Sequence, residues 1–252
     1  MAQLPRTPPV FGTFTPFQRA ASHPGVPLWH PGAMASTSDP APSSLSDQVE
    51  ELLSRTGPLP IVAAGDPVLR RAAEPFDGQL DPTLLARFVA ALRDTMHAAP
   101  GVGLAAPQVG VPLRLAVVED PAPVPDEIRE ARGRVPLPFR VLVNPVYEPV
   151  GAASVAFFEG CLSVPGWQAV VARPAEVRLL AQDENGRPLD EVFTGWPARI
   201  VQHETDHLNG TLYLDRAELR SLSSNQAMLE RWSHPTPGQA ATDLGFQLPE
   251  ES

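Results

Sequence analysis

The sequence contains no lysine: all 19 of its basic residues are arginine, a usage that G+C-rich coding produces and that points to a bacterium of that kind. It holds a single cysteine, Cys161, so no intrachain disulfide can form. No run of about 18 apolar residues occurs, so no transmembrane helix is expected. Cations are outnumbered, with a formal net charge of -10, and such a chain is a poor non-specific binder of nucleic acid or of anionic membranes. Aromatic residues are sparse at 6%, whereas 31 prolines in 252 residues mark stretches that do not pack.

Those prolines cluster. Residues 1–44 carry Pro5, Pro8, Pro9, Pro16, Pro24, Pro27, Pro31, Pro40 and Pro42 among Ser, Thr, Gly and Ala, with no helical or strand period. The composition predicts a disordered extension, with Met34 as an alternative start. An organellar targeting role finds little support, since only Arg6 and Arg19 are basic and the prolines preclude a long amphipathic helix. A single catalytic domain is expected over 45–232. The segment 233–252, again rich in Pro and Gly, is expected to be loose, with Leu244-Gly245-Phe246 as a docking contact.

Within the domain, Leu45, Val49, Leu52 and Leu53 have helical spacing, and Asp81-Pro82 is a strong helix start. Leu84, Leu85, Phe88, Val89, Leu92 and Met96 then form one apolar face, ending before Pro100-Gly101. Strands are expected at 113–118, 141–146, 155–158, 168–172, 177–182 and 189–193, with Asp183-Glu184-Asn185-Gly186 as a hairpin turn. Residues 119–139 read as a surface insertion with a helical turn near 126–132. A helix follows from about Pro197 to Gly210, then a strand at 212–214 and a helix from about Ala217 to Arg231. The order predicts an α+β fold, antiparallel sheets packed around a central helix.

That central helix carries Gln202-His203-Glu204-Thr205-Asp206-His207. Positions i and i+4 share a helix face, so His203 and His207 can offer two imidazoles to one metal, with Glu204 beside them as a base. Two histidines do not complete a catalytic site. Cys161, in Glu159-Gly160-Cys161-Leu162-Ser163, is the candidate third ligand. A free cysteine is more often a small buried hydrophobe. Here Gly160 permits close backbone approach, and the polar bend after an apolar run has the character of a site loop. A third stretch, Gly101-Val102-Gly103-Leu104-Ala105-Ala106-Pro107-Gln108, fits neither a dinucleotide fingerprint nor a phosphate loop. Its Gln108 is an amide able to donate to an oxyanion, although an isolated glutamine is more often a surface residue.

Gly103 to Gln108, Glu159 to Ser163 and Gln202 to His207 resemble, in order and spacing, the three signature motifs of peptide deformylase, and the resemblance covers roughly residues 60–225. Gly195-Trp196-Pro197-Ala198-Arg199-Ile200 and the long insertion look like the mitochondrial-type branch. The resemblance implies one divalent metal held by Cys161, His203 and His207, Fe2+ natively with Zn2+, Ni2+ or Co2+ as substitutes. It implies Glu204 as the proton-transferring group and, for the oxyanion, the Gln108 side chain with the Leu162 N–H. The implied reaction removes the formyl group from the N-terminal formylmethionine of nascent polypeptides in the cytoplasm.

Val102, Leu162, Trp196 and Ile200 are apolar and close in sequence to these residues, so they are candidates for the methionine pocket. For Trp196 and Ile200, ordinary core packing explains the pattern as well. The Gly103 backbone is the expected partner of an extended substrate, and Glu159, taken as a further substrate-side residue, matches a family pairing with Arg173 that would brace the Cys161 loop. Asp206 reads as a structural residue facing away from the metal pair, Ser163 as a local hydrogen-bonder rather than a nucleophile, and His97 as a surface or dipole-stabilised histidine rather than a ligand. Ribosome docking through the C-terminal helix is weakly supported, because Arg216, Arg220 and Arg231 are offset by Glu218 and Glu230. Two other readings of His-Glu-x-x-His stand beside this one, a zinc-dependent endopeptidase and a non-catalytic metal-binding protein.

Overall fold

Asp81 and Pro82 open the longest helix, α2 (Pro82–Ala98). The Asp81 carboxylate accepts from the Thr83 and Leu84 N–H groups at 2.8 and 3.1 Å, and proline at the first helical position gives up an N–H that would have had no helical partner. The structure is a computed structural model and describes residues 44–249. The disordered extension expected over 1–44, with its alternative start at Met34, therefore lies outside the described residues except for Ser44. That serine caps α1 (Leu45–Leu53) in a reciprocal box with Asp47.

The strands among the described residues form two antiparallel sheets. One has the order β1-β2-β3-β6-β7, built from β1 (Gly103–Ala105), β2 (Leu115–Asp120), β3 (Leu137–Pro149), β6 (Glu176–Gln182) and β7 (Pro188–Thr194). The other has the order β4-β5-β8, from β4 (Ser154–Cys161), β5 (Val164–Pro174) and β8 (Ala217–Ser224). α3 (Asp126–Arg132) lies in the insertion, α4 (Gly195–Leu208) carries the histidines, and α5 (Asn225–Arg231) and α6 (Gly238–Leu244) close the chain.

β2 shows why the sheet needs two covers. Its side chains alternate in direction yet nearly all are buried. Leu115 and Val117 join the cluster built on α2, with Phe88, Leu92 and Met96. Ala116 and Val118 join the cluster on the opposite face, with Ala198, Val201 and Leu208 of α4. Val141, Val143 and Leu142 of β3 divide the same way. The sheet is thus clamped between α2 and α4, and each fully buried Leu or Phe contributes about 1.5–3 kcal/mol. α4 buries most of its length, including Arg199, Gln202, Glu204, Asp206 and His207. A helix polar in sequence and buried all round is placed for its polar groups.

Three expectations are corrected. Residues 217–224 form strand β8, not the start of a helix. Leu219 and Leu222 have helical spacing but point outward, while Ser221 and Ser223 are buried. The Ser221 hydroxyl accepts the Val170 N–H at 2.7 Å where the β5–β8 register shifts, so pairing with β5 overrides local preference. The helix begins only after Ser224, which caps α5. Residues 212–214, expected as a strand, are drawn into a 3-10 turn over Tyr213–Asp215 because the Asp215 carboxylate accepts the Leu212 N–H at 2.8 Å. The segment from Ser233 is also not loose throughout: it contains α6, and Phe246 packs with Trp232 against Phe158 and Val170. The docking contact expected at 244–246 is present there.

Asn209 caps the end of α4, and Gly210 follows with φ +73°. A Cβ at that position would meet the carbonyl carbons of Arg70 and Arg71 at 2.8 and 2.9 Å, backbone that cannot rotate away. Gly210→Ala is expected to lower stability by about 2–3 kcal/mol. A urea midpoint equal to that of the parent would show that this packing does not hold the helix end.

Candidate active site

α4 presents His203 and His207 one turn apart, with ring centroids separated by 5.0 Å and planes at 71°. Cys161 arrives from the other sheet, at the end of β4, where the β4–β5 register shifts between Gly160 and Cys161. Its Sγ lies 3.2 Å from His207 Nε2, and one ligating atom from each of the three residues falls within 4.8 Å of the others. Ligation at about 2.3 Å to sulfur and 2.0 Å to nitrogen in a tetrahedron requires an S···N separation of about 3.5 Å. One thiolate and two imidazoles at this spacing fit a single borderline-soft divalent ion. Tyr213 stacks on His203 at 6.4 Å and donates its hydroxyl to Trp167 O at 3.0 Å.

The His203 ring is set from behind. Its Nδ1 is 3.1 Å from Glu159 Oε2, which leaves Nε2 free to act as a ligand. Glu159 is in turn gripped by Arg173 at 2.6 and 2.9 Å and by Arg199 at 2.5 Å. Arg173 also donates to Asp206 at 2.8 Å, and Asp206 accepts from Arg216 and from the Tyr147 hydroxyl. Glu159, Arg173, Arg199 and Asp206 are all at most 5% exposed. Burial alone would raise the Glu159 carboxyl, but Arg173, His203 and Arg199 hold it well below the usual carboxylate range. Burial likewise works against the Arg173 charge, and Glu159 with Asp206 more than offsets it. Glu159 was expected among substrate-side residues. It borders the cavity, but both of its oxygens are engaged by protein groups. Asp206, expected only as a structural residue pointing away from the metal pair, anchors the far side of this network.

Above the histidines lies a cavity of about 440 Å³. Val102, Gly103, Leu162, Trp196 and Ile200 all line it, as do Glu204 and Gln108. Ile200 is buried and Trp196 half-buried, and both also pack with the α4 cluster. Leu162 occupies the turn between Cys161 and Val164, outside the ladder. Gln108 Nε2 reaches Cys161 Sγ at 3.6 Å and Ser163 Oγ at 3.3 Å, while its Oε1 accepts the Ala105 N–H at 2.8 Å, which fixes which end of the amide faces the site. Glu204 is 4% exposed, and its Oε2 has no hydrogen-bond partner among the described residues. Burial lifts the Glu204 carboxyl to about 7, even though His203 and Arg173 pull it down. A carboxyl in that range can both take and return a proton near neutrality.

Residues 58–223 match the family model described as Polypeptide deformylase. The chain belongs to the peptide deformylase family. Peptide deformylase 1 of Streptomyces coelicolor is 77% identical over 216 residues, covering 86% of this chain and 98% of that protein. A deformylase of Bifidobacterium adolescentis is 47% identical, over 81% of this chain and 95% of that one. Among solved structures, a Synechococcus elongatus deformylase in complex with actinonin matches with TM-score 0.54 and 34% identity, covering 77% of this chain and 90% of that chain. The Met-Ala-Ser-bound class I type b enzyme of Acinetobacter baumannii matches with TM-score 0.56 and 34% identity, covering 64% and 99%. The chain is therefore a deformylase, a hydrolase that removes the N-terminal formyl group of new polypeptides. The endopeptidase and non-catalytic readings are not favoured.

Several residues of this deformylase site escaped the sequence. Arg199 lies in the Gly195–Ile200 stretch, but its partnership with Glu159 has no local signal, because the two are 40 positions apart. Tyr213 and Arg132 lie in segments read as strand and as surface loop. β1 was missed because three residues are too short to show a period. Its Gly103 has a plain cause: a Cβ there would fall within the envelope of the Glu204 carboxylate. Gly103→Ala is expected to leave the fold intact and lower formate release about a hundredfold by displacing Glu204. Near-parental turnover with a native circular dichroism spectrum would mean that the carboxylate has another resting place.

Proposed function

We propose that Cys161, His203 and His207 hold one divalent metal, natively Fe2+ and replaceable by Zn2+, Ni2+ or Co2+. Glu204, Gln108 and the Leu162 N–H then carry out deformylation of N-formylmethionyl polypeptides as they emerge in the cytoplasm. The single observation behind this reading is the convergence of the Cys161 thiol, the His203 imidazole, an unpartnered carboxylate and an amide N–H on one cavity, with the His207 imidazole directly against the thiol. When bound, the metal supplies Lewis acidity toward the formyl carbonyl and toward water.

The remaining roles belong to the chain. Glu204 Oε2 removes a proton from the attacking water and returns it to the departing amine, so one carboxyl serves both halves of the reaction. Gln108, its Oε1 held by the Ala105 N–H, donates through Nε2 to the oxygen on which charge develops, with the Leu162 N–H as second donor. Val102, Leu162, Trp196 and Ile200 form the apolar wall for the methionine side chain. β1 is an edge strand beside this wall, so an extended peptide can add to it with the Gly103 backbone as a partner. That the Acinetobacter relative carries Met-Ala-Ser supports the same placement of a peptide beginning with methionine. Glu159 is a positioning residue, acting through His203.

Protein purified under nitrogen is expected to carry about one metal per chain and to release formate from a formyl-Met tripeptide. Metal bound without formate release would refute the assignment. Glu204→Ala should keep the metal and lose most turnover, by at least about a hundredfold. Full activity in that variant would remove Glu204 from the mechanism. Glu159→Gln should weaken metal retention about 10- to 100-fold in a chelator competition, since His203 loses its orienting carboxylate. Retention equal to the parent would assign Glu159 a purely structural part.

A further inference from the structure

Arg132 is the last residue of α3, outside the three motifs, yet its side chain lines the active-site cavity. A close glycine contact puts it there. Gly133 turns the chain with φ +54°, and a Cβ on Gly195 would meet Gly133 O at 2.5 Å. The Trp196 N–H donates to that same oxygen at 3.3 Å, so the end of α3 is seated on the first turn of α4. The Arg132 guanidinium then lies 5.2 Å from the Trp196 ring centre and 5.6 Å from that of Phe157, and its Nε donates to Pro235 O at 3.1 Å.

Its neighbours all have anions. Arg134 pairs with Asp120, Arg199 with Glu159, and Arg173 with Glu159 and Asp206. Arg132 has no carboxylate within ion-pair distance among the described residues. Burial depresses its pKa, and the Arg134 and Arg199 cations add to that, yet an arginine remains charged. A half-buried cation without a counter-ion, in the wall of a substrate cavity, is a site for an anion, and the guanidinium fork matches a carboxylate.

We propose that Arg132 receives a carboxylate of the bound polypeptide, an acidic side chain following the formylmethionine, and so confers a preference for such substrates. This rests on the deformylase assignment of the cavity. Trp196 precedes His203 by seven residues, two turns of α4, or about 10 Å along its axis. An extended chain advances about 3.3 Å per residue, so an Asp or Glu side chain at the second or third position covers that span.

The test uses the full-length, metal-loaded protein and four C-terminally amidated peptides, formyl-Met-Ala-Ser, formyl-Met-Asp-Ser, formyl-Met-Ala-Asp and formyl-Met-Lys-Ser. Formate release gives kcat and KM for the parent, Arg132→Gln and Arg132→Lys. One of the Asp peptides is expected to exceed the Ala-Ser peptide by about tenfold in kcat/KM, chiefly through KM, and which one does so locates the carboxylate. That ratio should fall to about one in Arg132→Gln and be partly restored in Arg132→Lys. Equal rates for acidic and neutral peptides in the parent would overturn the proposal, as would an Arg132→Gln variant slowed on every peptide with the ratio kept. No formate from formyl-Met-Ala-Ser by the parent would instead strike at the deformylase assignment itself.

Discussion

The buried run of charges from His203 through Glu159 and Arg173 to Asp206 is the constraint on which the rest of the molecule depends. It joins β4, β5 and α4, so it fixes the second sheet against the central helix and, in the same stroke, orients the His203 ring. A buried ion pair is a weak source of net stability, because desolvation offsets most of the attraction, whereas breaking one by removing a partner costs about 3–5 kcal/mol. The arrangement therefore favours one geometry over its neighbours more than it favours folding as such. Arginine suits this place: Arg173 binds two carboxylates at once through different nitrogens, which a single ammonium on a flexible stem does less well.

Around that anchor the site draws its groups from separate layers. The imidazoles and Glu204 come from α4, the thiol from the end of β4, the amide from the 3-10 turn after β1, and the cavity wall in part from the insertion and from the turn after Cys161. Apart from Cys161 and the turn that follows it, these pieces are far apart in sequence, and rigid elements carry most of them. Where the pieces meet, space is short. Gly103 against Glu204 and Gly195 against Gly133 are both contacts in which a single carbon would separate the parts.

The sequence was most informative where chemistry is local. The i, i+4 histidines, the Asp81 cap and the apolar face of α2 are each decided within one or two turns, and the structure has them where the pattern places them. The hairpin at Asp183 is likewise a local matter, since that side chain accepts the Asn185 and Arg187 N–H groups itself. What could not be read depends on partners far away in the chain. β8 is a strand because β5 needs a neighbour, and its buried serines look like solvent-facing residues until Ser221 is seen bonding the Val170 N–H. Glu159 was legible as a partner of Arg173 only through family likeness. Its hold on Arg199 and His203 is a fact of three dimensions. Even the tail from Ser233 follows this rule, because its apolar residues find their face only once Phe158 and Val170 have been brought together.

β2 gives a last consequence. It is one strand deep between two helices, with Leu115 and Val117 serving the α2 side and Ala116 and Val118 the α4 side. No residue of that run has a solvent-facing side on which a mutation can be absorbed, so drift at one position is felt on the catalytic helix or on its scaffold, with nothing between. The α2 side of the run carries Leu115 and Val117, the α4 side the smaller Ala116 with Val118, so less side-chain volume stands between the strand and α4. Exchanging the parity of the strand would push the helix that bears the histidines away from the sheet while leaving every motif residue in the chain unchanged.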